Sequence, residues 1–283
     1  MTNAYASLDL LKSASVLNIT GAGDDTRLRL VLENTSRLLD RYCNRHFFEL
    51  SATRKFDGAG NETLLVPDLI SIDASGLKTD DNKDRTFEST WAVTDYLLLP
   101  SNADPATVGN PMSRPYSTVE VDLDAGTKAE FPRGRQTVQV AGKWGWWRHL
   151  KRATETANAV ADATTTSVTV SSRAEVETGH TLLVDSEQLY VQSYSGNTLT
   201  VVRGVNGTAA ASHSGGAAID IYEYPGPIVE ATIIQATRLW RRKDSAFSAA
   251  TGLPETGQSR PSVGLDPDVR LLLGQYRKVA MGV

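Results

Sequence analysis

The chain has 283 residues, 40% hydrophobic and 22% charged, the balance of an ordinary globular protein of about two domains. Lys and Arg total 29 against 33 Asp and Glu, a net charge of −4, which excludes a globally basic nucleic-acid binder but not a local basic patch. One cysteine, Cys43, excludes an intrachain disulfide and a cysteine-built zinc cage.

No run of 18 apolar residues offers a membrane span, and residues 1–17 lack the basic-then-apolar order of a signal peptide. The expected product is soluble, from a reducing cytoplasm. In chain order, Tyr5, Leu8 and Leu11 predict a short amphipathic helix, broken at Gly21-Ala22-Gly23. Asp24 or Asp25 then caps a second helix. Its apolar stripe runs through Leu28, Val31, Leu32, Thr35, Leu38, Leu39 and Tyr42 at three- and four-residue steps.

Short β-type runs follow at 54–57, 63–66, 69–73, 93–99, 118–123 and 137–140, punctuated by Gly and Pro. Residues 101–116 hold three prolines and read as an extended loop. Residues 153–225 differ sharply from their flanks. They contain no Lys and two Arg against eight acids, so they carry −6 and leave +2 for the remainder. Strands are predicted there at 167–170, 181–184, 188–194, 198–202 and 218–222, with Gly196-Asn197 in a tight turn. This stretch reads as a small β domain inserted into a host.

Beyond it, Pro227 opens a helix with Val229, Ile233, Ala236 and Trp240 on one face and Arg238, Arg241, Arg242 and Lys243 gathered at its end. Residues 244–264 are rich in Ser, Gly and Pro and are expected to be flexible. A last short helix is predicted from Pro267, with Val269, Leu272, Leu273 and Tyr276 apolar.

Chemistry-bearing motifs are absent: no phosphate-binding glycine loop, no H-E-x-x-H, no G-x-S-x-G. No catalytic, cofactor or metal residues are therefore assigned. The four histidines, His46, His149, His180 and His213, fall on different elements. Cys43 and His46 are half of a zinc set without a second half, and read as a buried thiol and a strand-entry histidine. Asp122, Asp124 and Gly126 start like a calcium loop but lack its twelfth-position acid. The run from Lys143 to Arg152, with Trp144, Trp146, Trp147, Arg148, Lys151 and Arg152, admits two readings. It stacks on bases and pairs phosphates, or its tryptophans end a core strand before a solvated helix. Arg238 to Lys243 likewise reads as a phosphate site or as a solvated, dipole-matched helix end.

Taken in order, several motifs resemble the head–tail connector (adaptor, head completion) proteins of tailed bacteriophages. They are the helix-end corner Tyr42-Cys43-Asn44-Arg45-His46-Phe47, then Phe56-Asp57-Gly58, then Leu64-Leu65-Val66-Pro67. Tyr96-Leu97-Leu98-Leu99-Pro100 with Asn102 follows, then Gly142-x-Trp144-Gly145. The closing helix carries Pro227, Ala231, Ala236, Leu239, Trp240, Arg241 and Arg242. The match spans roughly 5–150 and 227–280. It departs from simpler members at 153–225, where Asp185 to Val191 and Leu199 to Thr208 look like a small β module recurrent in virion proteins.

The resemblance implies an α+β fold: a helical connector domain with short antiparallel strands, plus the inserted all-β domain and an extended C-terminal arm. The corresponding boundaries are 1–152 and 226–243 for the connector, 153–225 for the insert and 244–283 for the arm. The implied function is a non-enzymatic homo-oligomeric ring, expected in twelve copies, between the portal vertex and the tail of a virion. Its partners would be itself, the portal protein and a tail-side connector or tail terminator protein. DNA would pass through the lumen without specific recognition, and no membrane or cofactor is involved.

Leu272, Leu273, Tyr276 and Arg277 are the implied portal-docking residues, with folding back of the arm as the alternative. Arg148, Lys151, Arg152, Arg238, Arg241 and Arg242 are the candidate interface or DNA-proximal cations. Two rival functions stand beside this one: a tail-surface module whose β insert holds a host glycan or another virion protein, and an enzyme acting on DNA ends.

Overall fold

The structure, a computed structural model, describes residues 3–107, 113–245 and 264–278. Two antiparallel six-stranded sheets dominate it. This corrects the expectation of a helical connector domain carrying a small β insert, because the chain is mostly β. Helical periodicity is confined to a few stripes. The alternating runs between them are short, and several find a partner strand far away in sequence, as 50–58 does in 134–144, where local pattern carries no information. Contacts divide the chain into two units. One is Met1–Arg45, Leu150–Val205 and Ala209–Val283, and the other is His46–His149 with Asn206–Thr208.

The second of these units holds sheet one, built from β1 (Leu50–Gly58), β2 (Thr63–Thr79), β3 (Ser89–Thr90), β4 (Tyr96–Leu99), β5 (Tyr116–Val121) and β6 (Gly134–Trp144). The strand order is β1-β6-β2-β5-β4, with β3 on β2. The runs expected separately at 63–66 and 69–73 are one long strand. Pro67 falls where the ladder to β5 shifts register between Leu65 and Leu69, so its missing N–H breaks no pairing. β2 pairs with β5 through its first half and with β6 through its second.

The inner face of the sheet packs Leu64, Val66, Leu77, Val119, Val138, Val140 and Trp144 into one core. Trp144 is fully buried and donates its indole N–H to the Ala52 carbonyl at 2.8 Å. Trp91 stacks on Phe131 with ring centroids 4.7 Å apart. Gly142 is required by closeness, since a Cβ there would lie 2.3 Å from the Ser71 carbonyl oxygen.

The other unit combines four described helices, α1 (Leu8–Lys12), α2 (Asp25–Cys43), α3 (Gly226–Arg241) and α4 (Pro267–Leu273), with sheet two. That sheet holds β7 (His149–Ala157), β8 (Ser167–Thr169), β9 (Thr181–Val184), β10 (Glu187–Ser195), β11 (Thr198–Val202) and β12 (Ala217–Glu223), in the order β7-β12-β9-β10-β11-β8. Asp24 occupies the N-cap of α2 without a side-chain capping bond, while Asp25 pairs with Lys12 at 2.5 Å. Asn44 ends α2 in the left-handed conformation, at φ 53°. Leu28 and Leu32 of α2 close on Ile233, Ala236 and Trp240 of α3.

The strands of 153–225 form sheet two together with β7, which starts at His149, where a solvated helix was one expectation. β7 alternates, burying Ala153, Glu155 and Ala157. The sheet is bonded to the helices. The Tyr190 hydroxyl donates to Glu33 of α2 at 2.8 Å, the Leu8 N–H to the Thr178 carbonyl at 2.9 Å, and Thr181 to the Asn3 side chain at 2.8 Å.

The helix expected from Pro267 is present as α4 and packs on α3 with Val269 and Leu273 fully buried. The Asp266 N–H donates to Gln235, and the Lys278 N–H to the Cys43 carbonyl at 2.9 Å. The rest of the flexible stretch expected at 244–264, residues 246–263, lies outside the described residues, as do 108–112 of the proline loop and 279–283. No described helix is long and apolar enough to cross a membrane.

Candidate functional site

The strongest polar assembly lies where β9 turns into β10. Asp185 sits in that turn in the left-handed conformation, at φ 54°. Glu187, two residues on, is 0% exposed. Its Oε1 accepts from Arg203 Nε at 2.7 Å and from the Gly204 N–H at 2.9 Å. Its Oε2 accepts from Arg203 Nη2 at 2.7 Å, from the Ala211 N–H at 3.0 Å and from His213 Nε2 at 2.9 Å. The other ring nitrogen of His213 lies 2.8 Å from an Asp185 carboxylate oxygen.

Arg203 spends its remaining N–H groups on backbone. It donates to the carbonyls of Thr165 at 2.8 Å, Asp162 at 3.2 Å and Ala211. One guanidinium fork thus ties the β10 start, the β11 end and the loops around 162–165 and 211. Burial alone would raise the Glu187 carboxyl, but the Arg203 guanidinium and the Ala211 and Gly204 N–H groups outweigh it and hold the group down to about 2. The assembly is a lock on irregular loops. Glu187 thus meets five donors of its own chain.

A cleft of about 260 Å³ opens in the same unit, lined by Tyr5, Leu10, Lys151, Glu175, His180, Tyr222 and Tyr224 among others. Burial pushes His180 down to about 4, so its ring is neutral at ordinary pH. Its Nδ1 accepts the Glu177 N–H at 3.2 Å, which leaves the proton on Nε2. Lys151 pairs with Glu175 at 3.0 Å. The lining mixes aromatic faces with one cation and carboxylates.

The basic candidates are mostly neutralised within the chain. Arg148 pairs with the buried Glu49 at 2.9 Å, Arg152 with Asp220 at 2.7 Å and Arg238 with Asp266 at 3.2 Å. Arg241 and Arg242 are exposed at the α3 end, and Lys243 lies 3.5 Å from the centroid of the Trp240 ring. Lys151 and Arg152 lie on β7, and Arg238, Arg241 and Arg242 at the α3 end. Trp144 stacks on no base, since the core encloses it.

Of the docking candidates, Leu273 is fully buried against its own chain, Leu272 and Tyr276 are half-buried, and Arg277 lies over the Tyr42 ring at 5.5 Å. Leu271, not singled out from the sequence, is the exposed apolar residue of α4, at 82%.

Other sequence features resolve simply. Cys43 is fully buried and burial lifts its thiol to about 11. His46 stacks on Phe48. Asp122 accepts the N–H groups of Asp124 and Ala125 in a turn. Asp80, Asp84 and Glu88 bring three carboxylates together, but Asp80 already accepts the N–H groups of Lys83, Asp84 and Arg85, so the cluster is a turn.

The Glu187–Arg203–His213 lock was missed from the sequence, although Glu187 and Arg203 lie within the two runs that look like a recurrent β module. The available signal was that Arg203 is one of two cations in a stretch with eight acids. Comparisons with protein-family models, with curated proteins and with solved structures found no match.

Proposed function

We propose that the chain is a structural virion protein that forms a ring between the portal vertex and the tail of a tailed phage, with DNA passing through its centre. The reading rests on the ordered motifs of the sequence. The observation that carries it best is the closing of α3 on α2, which joins the leading and closing helices of the motif series through Leu28, Leu32, Ile233, Ala236 and Trp240. The pairing of Arg148, Lys151, Arg152 and Arg238 with acids of the same chain adds support. Cations so occupied grip passing phosphates weakly, and each phosphate contact that is made would slow DNA exit.

The test is native mass measurement and electron microscopy of the purified full chain, alone and mixed with portal-bearing capsids. A ring with a central channel that attaches to capsids is expected. A monomer at high concentration that ignores capsids overturns the reading. The cleft beside Tyr5, Tyr222 and Tyr224 favours one alternative, a tail-surface module for a glycan or another virion protein. Retention of a monomeric chain on a glycan array would select it.

A further inference from the structure

Sheet one is open, and its two edges differ. β4 pairs with β5 on one side and with no strand on the other among the described residues, and β1 is the opposite edge. Exposed edges are normally blunted by charge, proline or a covering loop, because their free N–H and C=O groups template pairing. β4 is Tyr96-Leu97-Leu98-Leu99, with no charge and no proline inside it.

The register fixes which side chains share a face. Leu97 faces Glu120, which faces Thr63; Leu99 faces Thr118, which faces Leu65. These six residues form the outer face at the β4 end. Leu97 is 48% exposed and Leu65 68%, while Leu98, Val119 and Leu64 turn inward. Val93 and Leu123, on the segments flanking β4 and β5, add exposed apolar surface.

The β1 end has another character. Lys55 faces Gln139, which faces Lys78, and Lys143 lies on the same outer face opposite Ser51. The start of β1 is covered, since the Gly207 backbone approaches so closely that a Cβ would lie 2.0 Å from the Ser51 carbonyl oxygen. Thr53, Lys55 and Asp57 remain exposed along the edge. One edge is therefore apolar with an acid and no cation among its six outer residues, and the other carries three lysines.

We infer that the β4 edge takes the β1 edge of a second copy of this chain, continuing sheet one from subunit to subunit. The inference rests on the ring reading and names its interface. Joining two different edges is heterologous and gives a ring when the rotation from subunit to subunit closes, whereas joining β4 to β4 stops at a dimer. Main-chain bonds supply the pairing, Lys55 comes beside Glu120, and Leu97 is covered. A four-residue ladder is short of the roughly 1,200–2,000 Å² of a stable interface, so Leu65, Val93 and Leu123 must be covered as well.

The experiment uses the full chain, with Leu97→Lys and with Leu97→Cys alone or combined with Thr53→Cys, Lys55→Cys or Asp57→Cys. Leu97 is exposed, so the far-UV circular dichroism should not change in Leu97→Lys, while the melting temperature should fall only as far as loss of assembly requires. Native mass should drop from the ring to monomers in that variant. On oxidation, at least one double-cysteine variant should give a covalent ladder of many subunits. A ring that survives Leu97→Lys, or disulfide dimers from Leu97→Cys alone, overturns the β4–β1 interface and leaves the ring reading standing. A wild-type chain that is monomeric overturns both.

Discussion

Glu187 and Arg203 meet as a two-pronged ion pair, Nε to Oε1 and Nη2 to Oε2, each at 2.7 Å. The side chains are 0% and 6% exposed. Arg203→Ala would leave the carboxylate buried and take three loop carbonyls off their donor. It should cost about 3–5 kcal/mol, the usual penalty for stranding one partner of a buried pair. Arg203→Lys keeps the charge but loses the fork and should fall between. Urea unfolding followed by a probe in sheet two measures this. A change below about 1 kcal/mol for Arg203→Ala would show that other contacts hold the loops.

The same carboxylate sets an acid limit. Its folded value of about 2 lies below the ordinary 4.5, so the unfolded chain binds the proton more readily. The stabilisation is complete above about pH 4.5 and is lost as pH falls through 2. Glu187→Gln should be less stable than wild type near neutrality, and the gap should narrow between pH 4.5 and 2. A constant gap across that window counts against the assignment.

His180 predicts a second pH window, of the opposite chemical kind. Burial lowers its folded value from 6.5 to about 4, so the unfolded state again binds more protons between those values. Stability should be full above about pH 6.5 and decline as pH falls toward 4. The ring resonances of His180 should titrate near 4 by NMR. A midpoint near 6.5 would mean that water reaches the ring.

The fold-back of α4 makes a stability prediction separable from any portal role. Leu273→Ala removes a fully buried side chain and should cost about 2–5 kcal/mol. Leu271→Ala, at 82% exposure, should stay within about 0.5 kcal/mol. Thermal denaturation of both variants decides it. Equal melting temperatures would place α4 off the body of the unit in solution.

Where a single element carries its own signal, the sequence alone determined it. The stripe Leu28, Leu32, Leu39 predicted α2, Pro227 predicted the start of α3, and Gly196-Asn197 placed the turn between β10 and β11. Such features depend on neighbours three or four residues away, or on one residue's backbone preference. The balance of the fold lay beyond that range. The 63–66 and 69–73 runs became one strand only because β5 and β6 pair with its two halves, and β7 became a strand only because β12 lies beside it. The lock follows the same rule: Glu187, Arg203 and His213 lie on segments 10 to 26 residues apart, and only the closing of sheet two brings them within 3 Å. Strand pairing and buried charge networks are long-range, so their energy appears only once the chain has folded, and tertiary structure alone decided them.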